Sequence, residues 1–146
     1  MPRRFHLSQA EALLGSLEGD LRQAMSLRDD LARVVTGLAD VARHVSQSGG
    51  ALLHQDQVIQ ARARQAALAG RLKEAIEAVQ EYGCQIKDLE AGLIDFPTTF
   101  QGREVCLCWK VGEKEIGYWH EVEDGFRGRK PIDQHFLENH HGDAPN

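Results

Sequence analysis

Apolar residues recur at Leu14, Leu17, Leu21 and Ala24, and again at Leu31, Val34, Leu38, Val41 and Val45. The intervals of three and four set them along one side of an α-helix, and a helix of that length needs a partner along the seam. Arg28 interrupts the series, with Leu27 beside it as the substitute. Ser8 and Glu11 read as a capping box at the start, and Ser46-Gln47-Ser48-Gly49-Gly50 as the stop. A second helix is expected from about Ala51 to Tyr82, with Leu52, Ile59, Ala63, Ala66, Leu72, Ile76 and Val79 inward and Ala61, Ala67 and Leu68 off the seam. A short glycine connection favours an antiparallel hairpin. At 1.5 Å per residue the helices measure about 60 and 48 Å, so the first overhangs and carries Leu13, Leu14 and Leu17 to the second half of the chain. Gly15, Gly19, Gly37 and Gly70 are expected to mark close packing or bending.

That second half has another character. Residues 1–82 hold ten basic and ten acidic side chains; the remaining seven basic and twelve acidic ones carry the whole net charge of −5. Of nine aromatic residues only Phe5 and Tyr82 fall in the first part, so the second reads as sheet. Leu93 to Phe96 form a strand that Pro97 should end. Glu104 to Val111 and Glu115 to Val122 alternate as strands around a Gly112-Glu113-Lys114 hairpin. The expected fold is therefore α+β: a long antiparallel helical hairpin over residues 1–82 packed on a small antiparallel β-sheet over 83–138. Phe5-His6-Leu7 is a further edge strand, and residues 139–146 read as a loose polar tail.

Register decides what chemistry the sheet can hold, because a slip of one residue exchanges its faces. Pairing Val111 with Ile116 sets Trp109 opposite Tyr118, Leu107 opposite His120 and Val105 opposite Val122, one apolar side for the helices. Cys106, Cys108 and Trp119 then take the reverse side, with Trp119 covered by Phe126, Ile132, Phe136 and Leu137 or by another subunit. In that register Cys108 and His120 stand back to back, which argues against a thiol nucleophile built from Cys108, His120 and Asp95.

The runs Gly83-Cys84-x-x-Lys87-Asp88-Leu89 and Gly92-Leu93-Ile94-Asp95-Phe96-Pro97 are followed by Gly102-Arg103-Glu104-Val105, Leu107-Cys108-Trp109 and Gly112-Glu113. Trp119-His120-Glu121 and Gly125-Phe126-x-Gly128-Arg129 complete the set. In this order they closely resemble a prokaryotic family, domain of unknown function 2203, from Phe5 to about Ile132. The resemblance implies a small cytoplasmic bacterial or archaeal protein with no assigned activity. Cys106 stands where an aromatic residue is expected in relatives.

Several function classes are disfavoured. No apolar run reaches the roughly 20 residues a membrane span requires, and no secretion signal follows Arg3-Arg4. Three cysteines that cannot all pair suit a reducing cytoplasm, and the acidic charge speaks against nucleic acid. Cys84, Asp88, Asp95, Cys108, His120 and Glu121 are ligand types without close metal spacing, and Cys106-x-Cys108 is one incomplete pair. The tail histidines His135, His140 and His141 read as solvated. Arg127 and Arg129, with Lys130 beside them on a glycine loop, are candidates to grip a small anion, or else they pair internally. Asp88, Asp95, His120 and Glu121 form the candidate polar cluster. No cofactor is expected and no catalytic residue is assigned. The reading favours a non-enzymatic interaction module that forms a homo-oligomer and can engage an unidentified protein. The alternative is a small-anion or metal-binding protein, or an enzyme of that kind, with its site on the sheet.

Overall fold

The computed structural model of the protein describes residues 3–48 and 55–144. Helix α1 spans Leu7–Ser48 and α2 spans Gln55–Gln80. Strands come next at Gln85–Asp88 (β1), Leu93–Phe100 (β2), Arg103–Lys110 (β3) and Tyr118–Glu121 (β4). A 3-10 turn at Phe126–Gly128 leads to β5 (Lys130–Pro131), a short α3 (Gln134–Asn139) and β6 (His140–His141). All strand pairs are antiparallel, in the order β1-β2-β3-β4-β5, with β6 also on β2. The fold is the α+β hairpin-on-sheet that the periodicities imply. The expected helix stop at Gly49-Gly50 and the inward Leu52 lie outside the described residues.

Helix α1 is capped two residues before the expected position. His6 is the capping residue: its Nδ1 accepts from the Ser8 amide at 3.1 Å, while Gln9 Oε1 accepts the His6 amide at 2.8 Å. The reciprocal box thus uses Gln9 in place of Glu11. Because Leu7 is already helical, Phe5 to Leu7 form no edge strand. Phe5 donates one backbone bond to the Pro97 carbonyl at 2.7 Å.

Strand β2 passes through Pro97 instead of ending there. The N–H and C=O of a strand residue point the same way, and Pro97 turns its carbonyl to Phe5, away from β3. The missing amide therefore costs the β2–β3 ladder nothing. Gly92, at φ +74° in the turn before β2, meets Val111 so closely that a Cβ would stand 2.4 Å from its Cγ1.

The near end of the hairpin packs on the sheet. Leu14, Leu17 and Leu21 of α1 and Val79 of α2 join Phe5, Ile94, Phe96, Leu107, Trp109 and Trp119 in one buried cluster. Leu27 is buried while Arg28 reaches Glu90, as the interrupted seam suggests. The α2 seam matches the expected one at Leu72, Ile76 and Val79 and departs from it nearer the start of the helix. Leu68 is buried and Val58, Ala61, Gln65, Leu72 and Ala75 are half-buried, whereas Ile59, Ala63 and Ala66 are exposed. So many alanines ring this helix that hydropathy offers little contrast between its faces. Close packing does not explain Gly15, Gly19, Gly37 and Gly70, since apart from the adjoining backbone of the helix itself no atom lies within 4 Å of where a Cβ would be.

Of the expected tail, residues 140–143 are tied down rather than loose, and residues 145–146 lie outside the described residues. β6 pairs with Thr99 and Phe100, and Asp143 exchanges bonds with the backbone of Arg4. His140 is buried. Its Nε2 accepts the Leu7 amide of α1 at 3.0 Å, its Nδ1 donates to the Phe136 carbonyl at 3.0 Å, and its ring stacks on His6. Only the neutral ring can accept from Leu7. Burial, reinforced by His6 and His141, holds the His140 pKa below the usual 6.5. The unfolded chain therefore takes up this proton first as pH falls. The contribution of His140 is complete above about pH 6.5 and declines below it. Thermal melting measured from pH 7 to pH 5 should show that decline, and His140→Gln, which keeps an acceptor without a titrating ring, should flatten it.

Candidate functional site

The β3–β4 register differs by one residue from the expected one. Leu107 pairs with Trp119, Cys106 with His120 and Cys108 with Tyr118. Residues 111–117 form a seven-residue connection instead of a tight hairpin, with the Ile132 amide bonded to the Gly117 carbonyl. Strand alternation is lost before Tyr118, so Ile116 and Trp119 both enter the core. Turning the indole to the apolar core, with the imidazole buried against Asp95 on the opposite side, selects this register. Trp119 accordingly lies on the helix-facing side, stacked on Phe136 at 4.9 Å and tilted against Phe100. The chain covers it with its own Phe136; Phe126 and Leu137 remain exposed.

The reverse side then gathers what the expected register separated. Asp95 of β2 pairs with Cys108, and Cys106 with His120, so all four share one face. His120 Nε2 lies 2.9 Å from Asp95 Oδ1, and both side chains are 1% exposed. His120 Nδ1 is 2.7 Å from the Glu121 carbonyl, which can only accept, so Nδ1 carries a hydrogen. One further proton is shared between Nε2 and the carboxyl. Asp95 Oδ2 is buried with no hydrogen-bond partner. Cys106 Sγ, a ring nitrogen of His120 and a carboxyl oxygen of Asp95 lie within 4.8 Å of one another.

The thiols of this cluster are not primed as nucleophiles. Burial first, and the Asp95 charge second, push Cys106 up to about 12 and Cys108 up to about 11. Burial also raises Cys84, to about 11. Attack requires thiolate, which these surroundings disfavour.

The other candidates go elsewhere. Arg129 is clamped between the rings of Tyr118 and Phe126, 4.0 and 4.7 Å from their centroids. Its guanidinium donates to Glu113 Oε1 at 2.7 Å and to the Cys108 carbonyl at 3.3 Å. It makes no anion fork with exposed Arg127; internal pairing prevails, through Glu113. Lys130 lies over the Trp119 ring. Glu121 turns away from His120 to pair with Arg103, which lowers its pKa. Asp88 is exposed and caps the β1–β2 turn by accepting the Ala91 amide. Of the polar cluster, the structure thus joins Asp95 and His120 and leaves out Asp88 and Glu121. The expected register hides Cys106 from His120, which is why sequence reasoning misses it. Its two-residue spacing from Cys108 is the available signal.

A family model described as "Uncharacterized conserved protein (DUF2203)" matches residues 3–132. The chain belongs to this family. No curated protein matches it, and no solved structure does. In this DUF2203 member the motifs that carried the resemblance converge. The Gly92–Pro97, Leu107–Trp109 and Trp119–Glu121 runs lie on three adjacent strands, and Arg129 of the Gly125–Arg129 run is pinned to Cys108.

Thiol titration of the native DUF2203 chain at neutral pH should find its three cysteines slow to react, and all three should react at once in denaturant. Removing one partner of the buried pair, as in His120→Leu, should cost about 3–5 kcal/mol in urea unfolding. The double variant with Asp95→Leu should cost clearly less than the sum of the two singles.

Proposed function

We propose that the protein is a non-enzymatic interaction module that self-associates through the outer half of its helical hairpin. One observation carries this reading: from Arg28 to Gln47 in α1 and from Gln55 to Ala67 in α2, no side chain is buried. Leu31, Val34, Leu38, Val41 and Val45 form an uninterrupted seam and are only half-buried, while Val35 and Ile59 are 46% and 58% exposed. An apolar groove of about 500 Å³ runs between the helices there, lined by Leu38, Val41, Val45, Val58 and Ile59 among others. Two helices alone cannot enclose such a seam; four can.

A second copy fits this surface. Residues 29–48 carry three Asp against two Arg, and residues 55–72 carry one Asp against three Arg. A two-fold axis that lays α1 of one arm against α2 of the other brings weakly opposite charges together. The sheet cluster gives no comparable support for catalysis. Bringing thiol and imidazole to one face removes the sequence argument against chemistry there. Near-complete burial and the raised thiols supply a different one.

Size exclusion with light scattering should give a multiple of 16.3 kDa at micromolar concentration. Val41→Glu with Ile59→Glu should reduce it to the monomer without altering tryptophan fluorescence, since both tryptophans lie in the other half. A wild-type chain that stays monomeric throughout that range ends the proposal.

A further inference from the structure

We propose that Asp95, Cys106 and His120 bind one divalent cation of borderline softness, zinc or a zinc-like ion, within the sheet. The site is independent of the hairpin and of how the chain associates. Three strands each contribute one donor, Asp95 from β2, Cys106 from β3 and His120 from β4, and the register sets all three on the same side. Their donor atoms already lie within 4.8 Å of one another, so no strand has to move to bring them together. Ligand bonds of about 2.0–2.3 Å place tetrahedral donors roughly 3–4 Å apart, and rotation of three side chains reaches that range.

A second observation points to a ligand. Asp95 Oδ2 is buried and unpartnered, while the Oδ1 of the same carboxyl is bonded to His120. Leaving a carboxylate oxygen without a donor inside a protein is costly, and a cation on that oxygen would remove the cost. The imidazole is oriented for the role. Its Nδ1 hydrogen is fixed on the Glu121 carbonyl, which turns Nε2 toward the cluster, the arrangement that steadies metal-binding histidines.

Charge also balances. The shared proton between His120 and Asp95 and the Cys106 thiol proton are the two that leave. A dication with one carboxylate, one thiolate and one neutral imidazole is then electroneutral, as a buried site requires. Of the neighbouring cations, Arg129 is engaged by Glu113 and Arg4 by Glu104, and Lys87, whose charge favours the Cys106 thiolate, is exposed to solvent. One sulfur and one nitrogen among the donors suit zinc and disfavour calcium and magnesium, which take oxygen sets. The fourth position falls to water, which keeps the site neutral.

Cobalt titration of the reduced, metal-stripped full chain, monitored by its thiolate charge-transfer absorption, tests this. The band should saturate at one equivalent per chain and disappear on addition of zinc. Cys106→Val, which keeps an apolar side chain of similar size, should abolish it. Cys84→Ala and the exposed-histidine variants His135→Asn and His141→Asn should retain it, because imidazole alone gives no such band. Absence of the band in the wild type, its persistence in Cys106→Val or its loss in Cys84→Ala would overturn the site. Should Cys106→Val fail to fold, the unaltered chain still decides. With zinc present, alkylation in mild urea should slow at Cys106 and not at Cys84, and equal slowing or none at both refutes the proposal.

Discussion

The one-residue register between β3 and β4 is the constraint on which the sheet depends. It pairs Leu107 with Trp119 and Cys106 with His120. On one side it completes an aromatic surface for the helices, with Trp119 stacked on Phe136 and Phe96 set edge-on against Phe5. On the other it brings carboxyl, imidazole and thiol together out of water. Neither side can change alone, because strand alternation couples them.

The molecule is stabilised unevenly. At the sheet, the near ends of α1 and α2 close over a dry core, and the C-terminal segment returns to secure the start of α1. Gly142 lies so close to the Phe5–His6 backbone that a Cβ there would stand 2.2 Å from the His6 nitrogen. Beyond Leu27 the hairpin has only its own shallow seam. Local opening free energy tracks buried apolar contact, so the arm and the sheet belong to opposite ends of the stability range within one chain. No helix among the described residues is long and apolar enough to cross a membrane, so the exposed Val35 and Ile59 do not mark a membrane span.

Much of the architecture is legible in the residues because it rests on local periodicity. The seam of α1, the substitution of Leu27 for Arg28 and the reach of Leu14 and Leu17 to the sheet all derive from a 3.6-residue repeat. Where a helix lacks hydropathic contrast, as in the alanine-rich first half of α2, the same method misplaces the inward face. Local signals put the cap of α1 on Ser8 because a histidine is a poor capping signal. His6 takes the role with its ring stacked on His140, a contact made by the far end of the chain.

By itself the sequence determined that a long, seam-bearing helix must pair with a second one and that an aromatic, glycine-punctuated segment must form a sheet beneath them. Short-range spacing and residue type are enough for both. Only the tertiary structure decided that Asp95, Cys106 and His120 meet while Asp88, Glu121 and Arg129 find other partners. That choice turns on a seven-residue connection whose parity no alternation pattern specifies, and on the burial of one indole against residues far away in the chain. A register is a single integer, and long-range packing energy sets its value.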